Sequence, residues 1–275
     1  MCLKKMPGGF LKKRIGLMNL KNLIENQLAN YLKINCPKEI KEIMEYSLLG
    51  GGKRLRPLLL MLTACSLNTK PGEALPFACA VEMIHNYSLI HDDIMDKDIV
   101  RRGKPTVYVK YGEALAILAG DGLLNLSYEI MTHRCEMYPV RRNLKAMSLI
   151  AKAAGVRGMV GGQVSDISSS TNFFEVYKNK TAVLIAASLC AGAVLGKISP
   201  QKLPHVYKGG ILFGIAFQIK NDMEGKEKDT ESGKKTYVTL AGEKKARRVI
   251  DNLNREAAFF LKAAGINSPG IDLLF

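Results

Sequence analysis

Helical spacing of apolar residues is the feature that most limits the fold of this chain. From Leu20 onward, apolar side chains recur at intervals of three and four, and alternating strand patterns are nearly absent. Nine segments follow this spacing. Breaks between helices are predicted at residues 50–52, 68–72, 103–105, 161–162 and 199–204. Helices joined by short loops predict an all-α bundle that forms one domain over residues 18–275.

The basic charge of the chain narrows the choice of partners. Forty Lys and Arg residues against 25 Asp and Glu give a net charge of +15, which favours anionic ligands. Five basic residues lie in residues 1–17, which we interpret as a disordered extension, with contact to a membrane surface as the alternative. The other basic residues cluster beside acids and glycines rather than along a recognition helix, so nucleic-acid binding is not predicted.

The cysteines and the apolar stretches indicate a cytoplasmic protein. The six cysteines are scattered, and they form neither a CxxC pair nor a metal-binding spacing, so we expect reduced thiols. No window reaches the 18 or so continuous apolar residues of a spanning helix. The longest apolar stretch begins at Thr181 and contains Ser and Gly, which predicts a buried core helix.

An acidic motif follows an apolar helical run in HNYSLIHDDIMD. Asp92 and Asp96 are four residues apart and share a helix face, with Asp93 beside them. Such carboxylates repel one another unless a cation lies between them, and oxygen ligands suit Mg²⁺. Arg101 and Arg102 follow at once, as expected of a site that clamps a diphosphate. A solvated acidic helix end is the alternative.

Two further clusters carry charge. In GGGKRLRP, three glycines and the basic residues Lys53, Arg54 and Arg56 precede a helix, which indicates a second anion site or a solvated turn. In GIAFQIKNDMEG, a second apolar helix ends in Asn221 and Asp222. The two helices that end in acids can face each other and share metal ions. A charged loop is the alternative for the last cluster.

Taken together, these motifs resemble the trans-prenyl diphosphate synthases, or polyprenyl synthetases. The resemblance covers residues 20–265 and rests on GGKRLRP, EMIHNYSLIHDDIMDKDIVRRGKPT, ILAGDGLL, GMVGGQ, NKTAVLI, and FGIAFQI followed by acids and KKTYVTLAG. It implies an isoprenoid synthase fold, with ten or more helices around a central cavity, and usually a homodimer.

The resemblance also implies roles for individual residues. The diphosphate of isopentenyl diphosphate is expected to contact Lys53, Arg56, His85 and Arg102. The allylic diphosphate is expected to contact Arg101, Lys180, Thr181 and Gln218. The expected Mg²⁺ ligands are Asp92, Asp93, Asp96, Asn221 and Asp222. Catalysis is assigned to Asp92, Asp96, Arg101 and Lys180.

The implied reaction is a Mg²⁺-dependent head-to-tail (1′-4) condensation of isopentenyl diphosphate with an allylic diphosphate, by a prenyltransferase.

The resemblance also bears on product length. Tyr87 lies five residues before Asp92, at a position where a large residue in the family tends to form a floor under the growing chain. Ordinary core packing is the alternative. DDIMD lacks a two-residue insertion typical of bacterial farnesyl synthases, which favours geranylgeranyl over farnesyl diphosphate.

The chain departs from the family pattern in its second acidic motif. Asn221-Asp222-Met223-Glu224-Gly225 stands where DDxxD is usual, and the chain ends early at IDLLF. Asn221, Gly225 and Asp229 match the spacing of a terpene cyclase motif, so a cyclase is one alternative, and a partner or regulatory subunit of a heteromeric synthase is another. A cyclase needs no isopentenyl site, so the basic residues of that site favour condensation.

Overall fold

The structure of the chain is a computed structural model that describes residues 8–168, 171–226 and 235–267, with side chains from residue 16. This part of the chain is almost entirely helical, which confirms the predicted all-α class. The α-helices are α1 (Gly8–Tyr31), α2 (Lys38–Leu48), α3 (Leu55–Ser66), α4 (Pro71–Met95), α5 (Val107–Tyr111), α6 (Glu113–Glu136), α7 (Val140–Ala154), α8 (Met159–Ile167), α9 (Phe173–Val176), α10 (Val183–Leu195), α11 (Leu203–Glu224), α12 (Tyr237–Ala241) and α13 (Glu243–Ala263).

Four short elements lie between the α-helices of the described residues. Strands β1 (Val100–Arg101) and β2 (Lys104–Pro105) pair antiparallel after α4. A π-helix (Tyr177–Ala182) joins α9 to α10 without a break, and a 3₁₀ turn (Pro200–Lys202) precedes α11. π-Helical turns are rare in proteins, and those that occur are often found at functional sites. The π-helix is therefore a candidate site element.

The helices divide into two compact units, and each is described by itself. The first unit contains residues 8–61 and 70–143, and the second contains residues 62–69 and 144–267. The prediction of one domain over residues 18–275 therefore stays a prediction.

The first unit is organised around α4, which packs against α1, α2, α5 and α6. Most of α4 is buried, including Phe77, Ile84 and Ile90, whereas its C-terminal end reaches the surface at Asp96. Burial of such large apolar side chains stabilises the unit by roughly 1.5–3 kcal/mol each. The helix therefore anchors the acidic motif to a rigid core.

The second unit is organised around α10 and α11. Helix α10 is buried on all sides, which confirms the predicted core helix. Helix α11 approaches α10 through Gly210, where an added Cβ atom would lie 2.6 Å from the Cα atom of Ala186, and approaches the π-helix through Gly214, where it would lie 2.5 Å from that of Ala182. Small residues at this spacing allow the backbones to touch, which brings the next turns of α11 against the π-helix.

The predicted break at residues 161–162 is wrong, because both residues lie inside α8. An added Cβ atom at Gly162 would lie 2.2 Å from the backbone nitrogen of Lys180. The glycine pattern therefore reflects close packing of α8 against the π-helix.

The N-terminal segment differs from the expected disorder. Residues 8–17 are helical and continuous with the rest of α1, since LKKRIGLMNL is rich in helix-forming residues. Residues 1–7 and the predicted early C terminus, residues 268–275, lie outside the described residues. Membrane contact by residues 1–17 stays a prediction.

Two helical segments, Glu113–Glu136 and Phe173–Leu195, are long and apolar enough to cross a membrane by length and composition alone. Their most apolar windows are 44% and 78% buried within the protein, respectively. Because core helices of soluble proteins pass the same test, these segments are weak grounds for a membrane assignment.

Candidate active site

The acidic motif closes the C-terminal end of α4. Asp92 is half-buried and Asp96, the C-cap residue, is exposed. The backbone N–H of Asp96 donates to the carbonyl of Asp92 at 2.8 Å, so the last turn remains helical. The two side chains therefore leave the same end of α4, as the four-residue spacing predicts.

Asp93 points away from this pair and into the protein. It is 3% exposed, and the Nε–H of Arg101 donates to its carboxylate at 2.5 Å. Burial raises the pKa of Asp93 to about 6, although Arg101 opposes the shift. Asp93 and Arg101 thus engage each other through one hydrogen bond. Their predicted contacts, Mg²⁺ for Asp93 and the allylic diphosphate for Arg101, stay predictions.

The hairpin β1–β2 holds Arg102 in a tight turn. Arg102 and Gly103 both have positive φ angles, 54° and 73°, as in a two-residue type I′ turn. The guanidinium of Arg102 donates to the carbonyl of Gly51. An added Cβ atom at Gly52 would lie 3.0 Å from the Nη2 atom of Arg102. The glycines before Lys53 therefore let Arg102 approach the loop backbone, so the structure joins two of the predicted basic clusters.

Arg56 and the partly buried His85 lie beside this loop, and Arg56 and Arg102 supply the positive charge. Burial lowers the pKa of Arg56 to about 10, so the side chain remains charged near neutral pH. Burial, with the charges of Arg56 and Arg102, lowers the pKa of His85 well below its usual value, which leaves the imidazole neutral. The Nε atom of Arg56 is buried without a hydrogen-bond partner in the described part of the chain. Such a cluster suits an anionic ligand.

Arg54, between Lys53 and Arg56, has a different role from the one predicted for its cluster. Its side chain is fully buried and donates to the carboxylates of Glu25 and Glu82. Hydrogen bonds and charges of Glu25 and Glu82 raise the pKa of Arg54 against the opposing effect of burial. Its placement in a second anion site is therefore wrong, because carboxylates already surround its guanidinium.

In the second unit, the π-helix carries Lys180 and Thr181. Lys180 Nζ lies 2.6 Å from the carboxylate of Asp166 on α8. The hydroxyl of Thr181 donates to the side-chain oxygen of Gln218 at 2.8 Å. The structure thus brings together Thr181 and Gln218, which are 37 residues apart, and places Asp166 beside Lys180.

Asp222 continues this polar row one turn further along α11. It is 8% exposed; Gln218 Nε2 donates to one carboxylate oxygen at 2.8 Å, and the Tyr177 hydroxyl donates to the other. The same hydroxyl accepts from the backbone N–H of Tyr237 at 3.0 Å. Burial, together with the charge of Asp222, raises the pKa of Tyr177. Both oxygens of Asp222 therefore bind protein groups, and its role as a Mg²⁺ ligand stays a prediction.

The cyclase-like spacing is only partly described. Helix α11 ends at Glu224, and its C-cap Gly225 donates its backbone N–H to the carbonyl of Asn221 at 2.9 Å. Asp229 lies outside the described residues. Asn221 is half-buried near the end of α11, and its role as a metal ligand stays a prediction.

Tyr87 is buried, at 7% exposed, one and a half turns before Asp92 on α4. Its ring packs edge-to-face with that of His91, 5.7 Å between centroids. An added Cβ atom at Gly120 of α6 would lie 2.2 Å from the His91 ring, so this glycine makes room for the aromatic pair. Tyr87 is therefore held in a packed pair with His91, and its role as a floor under the growing chain stays a prediction.

Magnesium is compatible with these donors. No three acidic, His or Cys side chains converge as a metal site in residues 8–168, 171–226 and 235–267. Mg²⁺ often binds only one or two carboxylates and completes its octahedron with water and phosphate oxygens. Asp92 and Asp96, at the surface end of α4, are such donors.

Sequence reasoning missed the residues that organise the site. Glu25, Glu82, Asp166 and Tyr177 each bind a predicted or neighbouring site residue. Glu82 offers the clearest signal, because it is a single acid within the apolar run FACAVEMI. A buried carboxylate in such a run requires a charged partner.

Comparison with known proteins places this architecture in a family. A sequence profile of the polyprenyl synthetase family matches residues 37–258. A farnesyl diphosphate synthase of Bacillus subtilis (strain 168) is 38% identical over 262 residues, which cover 88% of each chain. A chloroplastic heterodimeric geranylgeranyl pyrophosphate synthase large subunit 1 of Arabidopsis thaliana is 40% identical over 86% of this chain and 70% of its own.

Solved structures agree. An FPP/GFPP synthase from Zymomonas mobilis is similar with a TM-score of 0.83 and 33% identity, covering 92% of this chain and 93% of its own. A geranyltransferase from Legionella pneumophila gives a TM-score of 0.86 at 29% identity, covering 97% and 96% of the two chains. The chain therefore belongs to the polyprenyl synthetase family. It is a prenyltransferase of the short-chain prenyl diphosphate synthase class.

Proposed function

We propose that the chain catalyses the Mg²⁺-dependent head-to-tail (1′-4) condensation of isopentenyl diphosphate with an allylic diphosphate. The observation that carries this proposal is the basic cluster of Arg56 and Arg102 around the neutral His85, which lies in the same unit as the acidic end of α4. An enzyme that joins two diphosphates needs a separate site for each. This unit offers a basic cluster for one diphosphate and, at Asp92 and Asp96, carboxylates that would hold Mg²⁺ for the other. A cytoplasmic homodimer is part of the same proposal.

In this mechanism, the basic cluster binds isopentenyl diphosphate and orients its double bond. Lys53, Arg56 and Arg102 pair with the diphosphate, and the neutral His85 ring donates a hydrogen bond to it. Asp92 and Asp96 would hold Mg²⁺, which, when bound, offsets negative charge on the allylic diphosphate.

The allylic C–O bond then breaks, and its electron pair leaves with the diphosphate. The double bond of isopentenyl diphosphate attacks the allylic carbon, which forms the new C–C bond. A proton leaves the resulting cation for the departing diphosphate. Arg101, Lys180, Thr181 and Gln218 are proposed to contact that diphosphate, where charge develops in the transition state. For Lys180, this requires exchange of its Asp166 partner.

The product is proposed to be short, with geranylgeranyl favoured over farnesyl diphosphate. Tyr87 supports the short length, because it is buried and lies five residues before Asp92, a rise of about 7.5 Å along the axis of α4. Relatives of both product classes resemble the chain, so the preference between the two rests on the uninterrupted DDIMD motif.

A product assay separates this proposal from its alternatives. The purified protein with Mg²⁺ is given dimethylallyl, geranyl or farnesyl diphosphate, each with and without isopentenyl diphosphate. We expect elongated diphosphates only when isopentenyl diphosphate is present. A hydrocarbon or alcohol from the allylic substrate alone would indicate a cyclase. Turnover only after addition of a second protein would indicate the subunit role, and the name of the Arabidopsis relative keeps that outcome in view.

A further inference from the structure

The side chain of Arg54 is fully buried in the first unit and is surrounded by carboxylates. We propose that Glu25, Arg54 and Glu82 form a positioning cluster for the isopentenyl diphosphate site, which holds the loop that carries Lys53. This inference rests on the function proposed above. It assigns the three residues no contact with substrate.

The backbone of the loop requires such a restraint. Gly51, Gly52 and Arg54 have φ angles of 97°, 131° and 50°. A left-handed conformation is unfavourable for a residue with a Cβ atom, so Arg54 needs compensating contacts. Its carbonyl accepts from the backbone N–H of Leu58 at 3.1 Å, which makes the loop continuous with α3.

The side chain of Arg54 ties this loop to three helices. Nε and Nη2 donate to the two carboxylate oxygens of Glu25 on α1 at 2.8 and 3.0 Å. Nη2 also donates to the carbonyl of Leu48, the last residue of α2, at 2.6 Å, and Nη1 donates to Glu82 on α4 at 2.7 Å. A planar guanidinium meets this set of acceptors, which a lysine ammonium does not reproduce.

Glu82 also links the cluster to the binding residues. It lies one turn before His85 on α4, and its charge supports the ionised form of Arg56. Within the described residues, Glu82 Oε2 and Arg56 Nε are buried without hydrogen-bond partners. The negative charge of Glu82 thus stabilises the charged form of Arg56 without a hydrogen bond to its Nε atom. This atom can therefore donate to a diphosphate.

Glu82→Gln provides the sharpest test, because two explanations predict opposite signs. If Glu82 acted only as a nearby negative charge, its removal would strengthen binding of the anionic substrate. If it positions Arg54 and its loop, the substitution weakens binding. We expect the KM for isopentenyl diphosphate to rise by about tenfold or more, with less than about a twofold change in the KM for the allylic diphosphate. Titration calorimetry with isopentenyl diphosphate alone should show the same weakening.

Three further variants complete the experiment. Arg54→Lys keeps the charge but loses the fork, and Glu25→Gln weakens the other side of the cluster; both should also raise the KM for isopentenyl diphosphate. They serve as the test if Glu82→Gln does not fold. Glu42→Gln is the matched control, because this exposed carboxylate pairs only weakly with Lys38 at 3.6 Å on α2, and it should match the wild type.

The outcomes separate the two proposals. A wild-type protein that elongates normally, with cluster variants that bind isopentenyl diphosphate as well as the wild type or better, would overturn the positioning role alone. A general loss of affinity for both substrates would also contradict it, since that result indicates a structural defect. A wild-type protein without elongation dependent on isopentenyl diphosphate would overturn the proposed function.

Discussion

At the scale of residues, charged side chains that are close in sequence have different roles: some form ion pairs, and others are proposed to bind ligands. Arg54 is surrounded by carboxylates, whereas Arg56, two positions on, is buried with no hydrogen-bond partner for its Nε in the described part of the chain. Asp93 pairs with Arg101, whereas Asp92 lies at the surface end of α4. Structural ion pairs therefore stand directly beside the groups proposed to bind ligands.

The partly buried His85 should make stability depend on pH. Its pKa in the folded protein lies well below the usual value near 6.5, so the unfolded chain binds a proton more readily. Stability from neutral His85 is present above about pH 6.5 and is lost as the pH falls below it. Between pH 7.5 and 5.5, we expect the melting temperature of His85→Gln to fall less than that of the wild type. The difference between the two should be on the order of a few degrees. Equal pH slopes for the two proteins, measured without ligands, would contradict this.

Tyr87→Ala should lengthen the product. The substitution removes a buried ring from the helix that carries Asp92 and opens space deeper along α4. Chromatography of dephosphorylated products should show a shift of at least one isoprene unit. Tyr207→Ala is the control, because this tyrosine is 44% exposed on α11 and should not affect chain length. An unchanged product distribution for Tyr87→Ala would remove the floor hypothesis.

At the scale of elements, contact between helix backbones positions the polar row of the second unit. Gly210 and Gly214 approach α10 and the π-helix, and Gln218 and Asp222 follow at the same four-residue interval. One face of α11 thus changes from close packing to hydrogen bonding. The geometry of Thr181 and Gln218 depends on the glycines one and two turns earlier.

Gly214→Ala should destabilise this arrangement. The new Cβ atom would lie 2.5 Å from the Cα atom of Ala182, so the helices must separate. Overpacking of this kind costs about 1–3 kcal/mol. We expect a lower denaturant midpoint in chemical unfolding. Gly72→Ala in α4 is the matched control, since no heavy atom lies within 4 Å of its added Cβ atom and stability should not fall. Equal loss in both variants would contradict the close-contact explanation.

Features set by local spacing can be predicted from the sequence, whereas features set by contacts between distant residues cannot. The helices could be predicted, because apolar spacing is a local signal. The role of residues 161–162 could not, because Gly162 owes its place to contact with the π-helix, a partner distant in sequence. The same applies to Arg54, whose partners come from other helices, and to the contact of Asp222 with Tyr177 of the π-helix. Local pattern identified the charged residues but not which of them are already paired.

At the scale of the whole molecule, the charge of +15 and the family assignment describe a basic prenyltransferase. The homodimer is a prediction from the resemblance, and one relative is named a subunit of a heterodimeric enzyme. Light scattering on the chromatographic peak that carries activity should give twice the chain mass of 30.2 kDa. Activity that elutes at the single-chain mass would contradict the homodimer, as would activity that requires an added protein.

The central claim is that the acidic end of α4 serves a condensation that consumes isopentenyl diphosphate. The most direct measurement is the rate at which labelled isopentenyl diphosphate enters extractable prenyl product, with Mg²⁺ and an allylic diphosphate. Asp92→Asn should lower this rate by about two orders of magnitude or more, because transition-state charge loses its stabilisation. Asp251→Asn, which changes an exposed carboxylate on α13, should leave it unchanged. No labelled product from the wild type, or near-normal incorporation by Asp92→Asn, would contradict the claim.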